Sequence, residues 1–179
     1  TLGTNIHYIF QSNKLILNVL IGFKFFLDNA ESYLKREFGK NSLEVKTHID
    51  LTKECFDNSF AYRFLSKLRN YYVHLGFPLE VVQFDIDFNN SQPEKSEHSC
   101  KLLLHTEMLR KEKELFGAIV MKDLEEINYD IDLIPLIKEL TTSIKKIQRN
   151  IYILQQDQIE QSIQNINYCV GDMKKENNE

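Results

Sequence analysis

The stretch Ser59–Leu79, SFAYRFLSKLRNYYVHLGFPL, decides how the rest of the chain reads. Phe60, Phe64, Leu68, Tyr71 and Tyr72 fall at helical steps, so the spacing predicts a helix from about Ser59 to Leu75. Asp57-Asn58-Ser59 just before it is a polar break rich in residues that cap helix N-termini. Gly76 and Pro78 end it, because glycine accepts the left-handed conformation and proline cannot continue a helix. Beyond Pro78 the period changes from helical to two: Val82, Phe84, Ile86 and Phe88 alternate with Gln83, Asp85 and Asp87. That is a strand pattern. The switch from helix to strand within a few residues defines a mainly α chain carrying a small β-hairpin insertion.

Downstream, Asn89–Ser99 is polar, holds Pro93 and reads as a loop, and Cys100–His105 is a second apolar run. A hairpin over about 80–106 follows, and such a hairpin needs helices to pack against. Residues 107–128 read as one or two short helices around Gly117. Ile137, Leu140, Ile144, Ile147, Ile151 and Leu154 then step by three and four, a heptad-like seam. It continues through Ile159, Ile163 and Ile166, with Pro135 tolerated in the first turn. Gln155, Gln156 and Gln158 interrupt the seam, and GDMKKENNE from Gly171 reads as a frayed polar tail. One helical domain over 1–170 with a flexible tail over 171–179 is the expected organisation.

Upstream, Leu15, Val19, Phe23, Phe26, Leu27, Ala30 and Leu34 mark a long helix within Gln11–Phe38, stopped by Gly39. Ile6, Tyr8, Ile9 and Phe10 belong to it or precede it. A second helix is expected from about Ser42 to Phe56, with Ser42 as N-cap.

The composition agrees. Six glycines and 3 prolines among 179 residues are too few for a collagen-like, Gly/Pro-rich disordered or turn-dense all-β chain. The net charge of −4, from 22 Lys plus Arg and 26 Asp plus Glu, argues against a broadly basic nucleic-acid coat. It leaves room for a local basic site. No apolar run reaches the ~18 residues of a membrane span, so a soluble, cytoplasmic protein is expected. Three scattered cysteines, Cys55, Cys100 and Cys169, form no zinc-ligand pattern and read as buried thiols of a reducing compartment. The chain opens on Thr1 rather than Met, and reads equally as a trimmed protein or a piece of a larger one.

Between Asn58 and Leu79 stand Arg63, Lys67, Arg69 and His74, with no Asp or Glu. In an acidic chain this is a positive island. Tyr62, Tyr71 and Tyr72 lie within it and offer rings that can stack on bases. Asn70 and His74 are one helical turn apart on one face. Arg69 and His74 are five apart, about 140° round an ideal helix. They meet only if the helix unwinds before Gly76, if the arginine reaches round, or if a second copy completes the site. Imidazole transfers protons near neutral pH, and guanidinium holds phosphate bidentately. Those are parts of a metal-independent ribonuclease, in which an RNA 2′-hydroxyl attacks its own phosphodiester.

Arg69-Asn70-Tyr71-Tyr72-Val73-His74 resembles the R-x4-6-H motif of the HEPN (higher eukaryotes and prokaryotes nucleotide-binding) superfamily. Asn70 supplies the polar residue that this family favours after the arginine. The context Leu68–Leu79 is similar to a branch of bacterial HEPN-like proteins, and the remainder matches only as helical architecture. The resemblance implies a HEPN-like helical bundle, homodimerisation through the motif helix and RNA cleavage without metal or other cofactor. It implies catalytic roles for Arg69, His74 and Asn70. Arg63, Lys67, Tyr71 and Tyr72 would then contact RNA. Family members often serve toxin–antitoxin or phage-defence systems, so an antitoxin or defence partner is implied. The alternative is a non-catalytic HEPN-fold module for dimerisation or for nucleotide or RNA binding. The hairpin departs from a plain bundle.

Other candidates carry less. His98 and His105 flank Cys100 without completing a zinc set and read as surface positions. Asp85 and Asp87 share one strand side, more often a solvated face than a metal site. His7 and His48 have no constellation. Asp123, Glu125, Glu126, Asp130 and Asp132 read as solvated surface, or as a partner for the basic island of another chain.

Overall fold

A computed structural model describes residues 2–87 and 97–176. Seven helices and three short strands follow in the order α1 (Leu2–Phe38), α2 (Leu43–Asn58), α3 (Phe60–His74), β1 (Val81–Asp87), β2 (Glu97–Leu104), α4 (Thr106–Arg110), α5 (Lys113–Glu126), β3 (Ile131–Asp132), α6 (Leu133–Leu154) and α7 (Gln156–Glu176). The chain is a mainly helical bundle with a small antiparallel sheet of order β1-β2-β3.

The centre of the bundle is α3, which lies against α1, α2, α5 and α6. Its residues Ala61, Phe64, Leu65 and Leu68 are wholly buried. They follow the i, i+3, i+4, i+7 stripe of a core-facing helix. Each large side chain so buried stabilises by about 1.5–3 kcal/mol. Phe64 stacks on Phe116 of α5 with centroids 5.8 Å apart. Leu140 and Ile147 of α6 close the core from the other side.

Caps explain the boundaries. The Ser42 side chain accepts from the Val45 N–H and starts α2. The Ser59 hydroxyl accepts from the Tyr62 N–H at 3.0 Å and starts α3, as expected. Gly76, at φ +102°, lets the chain leave α3 in a conformation that side chains resist.

Ile6–Phe10 belongs to one unbroken α1, the first of the two alternatives for this segment. Three features differ from the sequence reading. The C-terminal seam is two helices, broken at Gln155, where the backbone relaxes to φ −102° and ψ 0°. The break falls where the glutamines interrupt the seam. Past it, α7 runs on to Glu176, through Gly171, because a lone glycine weakens a helix without ending it. The third difference is β3, whose Ile131 and Asp132 pair with Leu104 and Leu103. The hairpin itself stands, with Val81 opposite Leu103 and Phe84 opposite Cys100. The loop expected over Asn89–Ser99 lies mostly outside the described residues, and Glu97 already belongs to β2. Gly117, at φ +72°, kinks α5.

Among the described residues, no helix is long and apolar enough to cross a membrane.

Candidate functional site at the end of α3

The residues Arg63, Lys67, Asn70 and His74 are spaced by four, three and four, so they form one stripe along α3. Arg69 stands beside it. The helix stays regular through His74, and the Leu75 N–H still donates to the Tyr71 carbonyl at 2.8 Å. Unwinding therefore does not bring Arg69 to His74. Instead the Arg69 guanidinium reaches sideways, and its Nη1 donates to Asn70 Oδ1 at 3.3 Å. Asn70 sits one turn before His74 on the same helix face, and among the described residues no side-chain hydrogen bond joins the two. His74 is exposed on the last turn.

Among the described residues no carboxylate pairs with Arg69, and its Nε is buried with no acceptor. A buried donor left unmet costs about 1–3 kcal/mol, and an anion would relieve it. Lys67 makes no ion pair among the described residues either.

Arg63 is used differently. Its Nε and Nη2 donate to Asp123 at 2.5 and 3.0 Å. Its Nη1 donates to the carbonyls of Phe56 and Asp57 at 3.2 and 3.1 Å. The guanidinium thus ties α5 to the last turn of α2, and its hydrogen bond to Asp123 strengthens its hold on its proton. These bonds engage four of its five N–H groups and leave one for RNA.

The tyrosines divide likewise. Tyr72 is 4% exposed, and its hydroxyl donates to Asn13 Oδ1 at 3.0 Å. Tyr62 is as deeply buried, edge-on to Phe23 with centroids 5.0 Å apart. Neither ring offers a face to a base in this fold. Tyr71 is half-buried and leans on Phe116 at 6.3 Å, and burial raises the pKa of its hydroxyl.

The acidic run is not a plain solvated surface. Asp123 meets Arg63, the Asp130 carboxylate accepts from His105 Nδ1 at 3.0 Å, and Asp132 caps α6 through the Ile134 N–H. Asp132 Oδ1 also accepts from the Leu102 N–H of β2. Asp85 lies near Lys101 Nζ at 3.7 Å. Among the described residues no cluster of three His, Cys, Asp or Glu side chains could hold a metal. Of the cysteines only Cys55 is buried, whereas Cys100 is half-buried and Cys169 exposed.

Asn13 belongs to no motif in the sequence, yet it is central to the site's support. It is 1% exposed and makes four hydrogen bonds. Its Nδ2 donates to the carbonyls of Ile9 and Leu79 at 3.0 and 2.8 Å, and its Oδ1 accepts from Tyr72 and the Leu79 N–H. It fastens the chain just after α3, and so positions the end that carries His74. A polar residue among Ile9, Ile16 and Leu20 on the apolar face of α1 was the available signal.

Fold and site together define the class: a mainly helical bundle with a small antiparallel sheet and an acid-free cationic helix at its centre. No protein-family model, curated protein or solved structure matches the chain.

Proposed function

We propose that the protein is a metal-independent endoribonuclease of the HEPN type, acting as a cytoplasmic homodimer paired through α3, in toxin–antitoxin or phage defence. The observation that carries this reading is Arg69, a guanidinium with no carboxylate partner among the described residues, held on Asn70 one turn from an exposed His74. The contrast with Arg63, which Asp123 neutralises, sets Arg69 apart as a place for a phosphate. A single helix separates Arg69 from His74 by about 140°, so the reading places a second copy opposite α3. The 2′-hydroxyl would attack phosphorus, giving up its proton to one imidazole. The departing 5′-oxygen would take a proton from another. Arg69 would balance the negative charge that builds on the phosphoryl oxygens.

The test is cleavage of RNA in EDTA by the native chain and by His74→Ala and Arg69→Ala. Loss in both variants supports the assignment, and undiminished cleavage in both refutes it. The non-catalytic alternative draws on the regular helix between Arg69 and His74, which leaves the two apart within one chain. There His74→Ala keeps function, and Val73→Asp abolishes it by breaking the dimer. Val73 is 49% exposed, so a charge placed there probes the interface without disturbing the core.

A further inference from the structure

Twenty-six residues of this chain are acidic, yet none lies in 1–27 and none in 58–79. The fold lays these two acid-free segments side by side. Asn13 meets Tyr72 and Phe23 meets Tyr62, an equal spacing on both helices, so α1 and α3 run antiparallel with residue 16 level with Arg69. Six residues earlier on α1, about 9 Å along its axis, stands Phe10.

Here the surface is aromatic. Phe10 packs edge-on to Phe77, centroids 5.6 Å apart, and Tyr8 edge-on to Phe84 at 6.2 Å. Phe77 follows His74 by three residues. All four rings are open, with Phe77 42%, Tyr8 and Phe10 49% and Phe84 61% exposed. Lys14 Nζ lies 5.5 Å from the centre of the Phe10 ring. Between α1 and β1 a shallow cleft of about 210 Å³ opens beside Tyr8 and Phe84, with Glu80 as its one acidic lining residue. Large exposed aromatic groups are costly to leave in water, and such patches mark binding surfaces. Rings beside a cation, with Glu80 the acid at the edge of the cleft, suit the flat faces of bases on an anionic strand.

Building on the ribonuclease reading, we propose that Tyr8, Phe10, Phe77 and Phe84 form a stacking platform for unpaired bases of single-stranded RNA whose backbone is held at Arg69. Duplex RNA hides its base faces and is a poor ligand for such a platform. The rings lie on α1, on the turn after α3 and on β1, and Asn13 ties α1 to Tyr72 of α3 and to Leu79, two residues before β1.

The test measures fluorescence anisotropy with an unstructured 2′-O-methyl oligonucleotide, which lacks the attacking hydroxyl and so survives, and with its duplex. Phe10→Leu and Phe77→Leu keep an apolar side chain and the fold but remove the ring. Each is expected to weaken single-strand binding roughly five-fold or more, with the salt slope unchanged. Arg69→Ala instead lowers that slope by about one. Equal binding of duplex and single strand, or undiminished binding in both leucine variants, overturns the platform and leaves the ribonuclease reading standing. A change of mass in light scattering by the leucine variants, with affinity retained, overturns it in favour of a contact between copies. A native chain that binds neither RNA overturns both.

Discussion

Replacing Asn13 by alanine is expected to destabilise the protein more than any other single polar-to-alanine change at the α1–α3 contact. The side chain carries four hydrogen bonds in a place that water does not reach. The Ile9 carbonyl keeps its place in the α1 ladder, so it is not orphaned. The Leu79 N–H, the Leu79 carbonyl and the Tyr72 hydroxyl are. Leu79 is 1% exposed, and among the described residues Asn13 is the hydrogen-bond partner of both its backbone groups. Each buried unmet group costs about 1–3 kcal/mol. Three such groups, discounted for a water entering the vacated space, give about 3–5 kcal/mol. That is a large part of the ~5–15 kcal/mol that holds a domain together. Tyr72→Phe removes one donor and leaves Oδ1 still accepting from Leu79, so it costs about 1 kcal/mol. The double variant should fall short of the sum, because the two side chains share a bond. Urea unfolding followed by circular dichroism gives all three values. An Asn13→Ala loss below about 1 kcal/mol, or strict additivity with Tyr72→Phe, refutes the account of Asn13 as a shared fastening.

Two further outcomes follow from the same physics. His48 is 2% exposed, its Nδ1 meets no partner among the described residues, and burial lowers its pKa from 6.5 against the opposing pull of Glu31. Between 6.5 and that lowered value the unfolded chain binds the extra proton and the folded chain does not, so stability falls as pH falls through this window. Thermal melts across it should show the loss, and His48→Leu should flatten it. Arg63→Ala leaves Asp123 without its partner and opens the end of α2, with an expected cost of about 2 kcal/mol, since the pair is partly solvated. A Tm unchanged in Arg63→Ala would show that the α2–α5 tie carries no stability.

Much of the fold was legible because it is written locally. Ser42 and Ser59 accept hydrogen bonds from residues three positions on, so both helix starts could be read from the chain. The alternation after Pro78 likewise announced β1. The third strand escaped because Ile131–Asp132 is too short to show any period. The break at Gln155 was marked by polar residues, yet periodicity carried the seam across it.

The candidate site was legible only in its membership. That Arg63, Lys67, Arg69 and His74 share one helix without an acid between them is plain from the order of residues alone. Which of these charges is already spent depends on how the helices pack. Arg63 is neutralised by Asp123, a residue 60 positions away, and Tyr72 is turned inward to Asn13, 59 positions away. Arg69 and His74 keep no such partner among the described residues. The physical reason is range: caps and periods act within a turn or two, whereas pairing and burial depend on segments that only folding brings together.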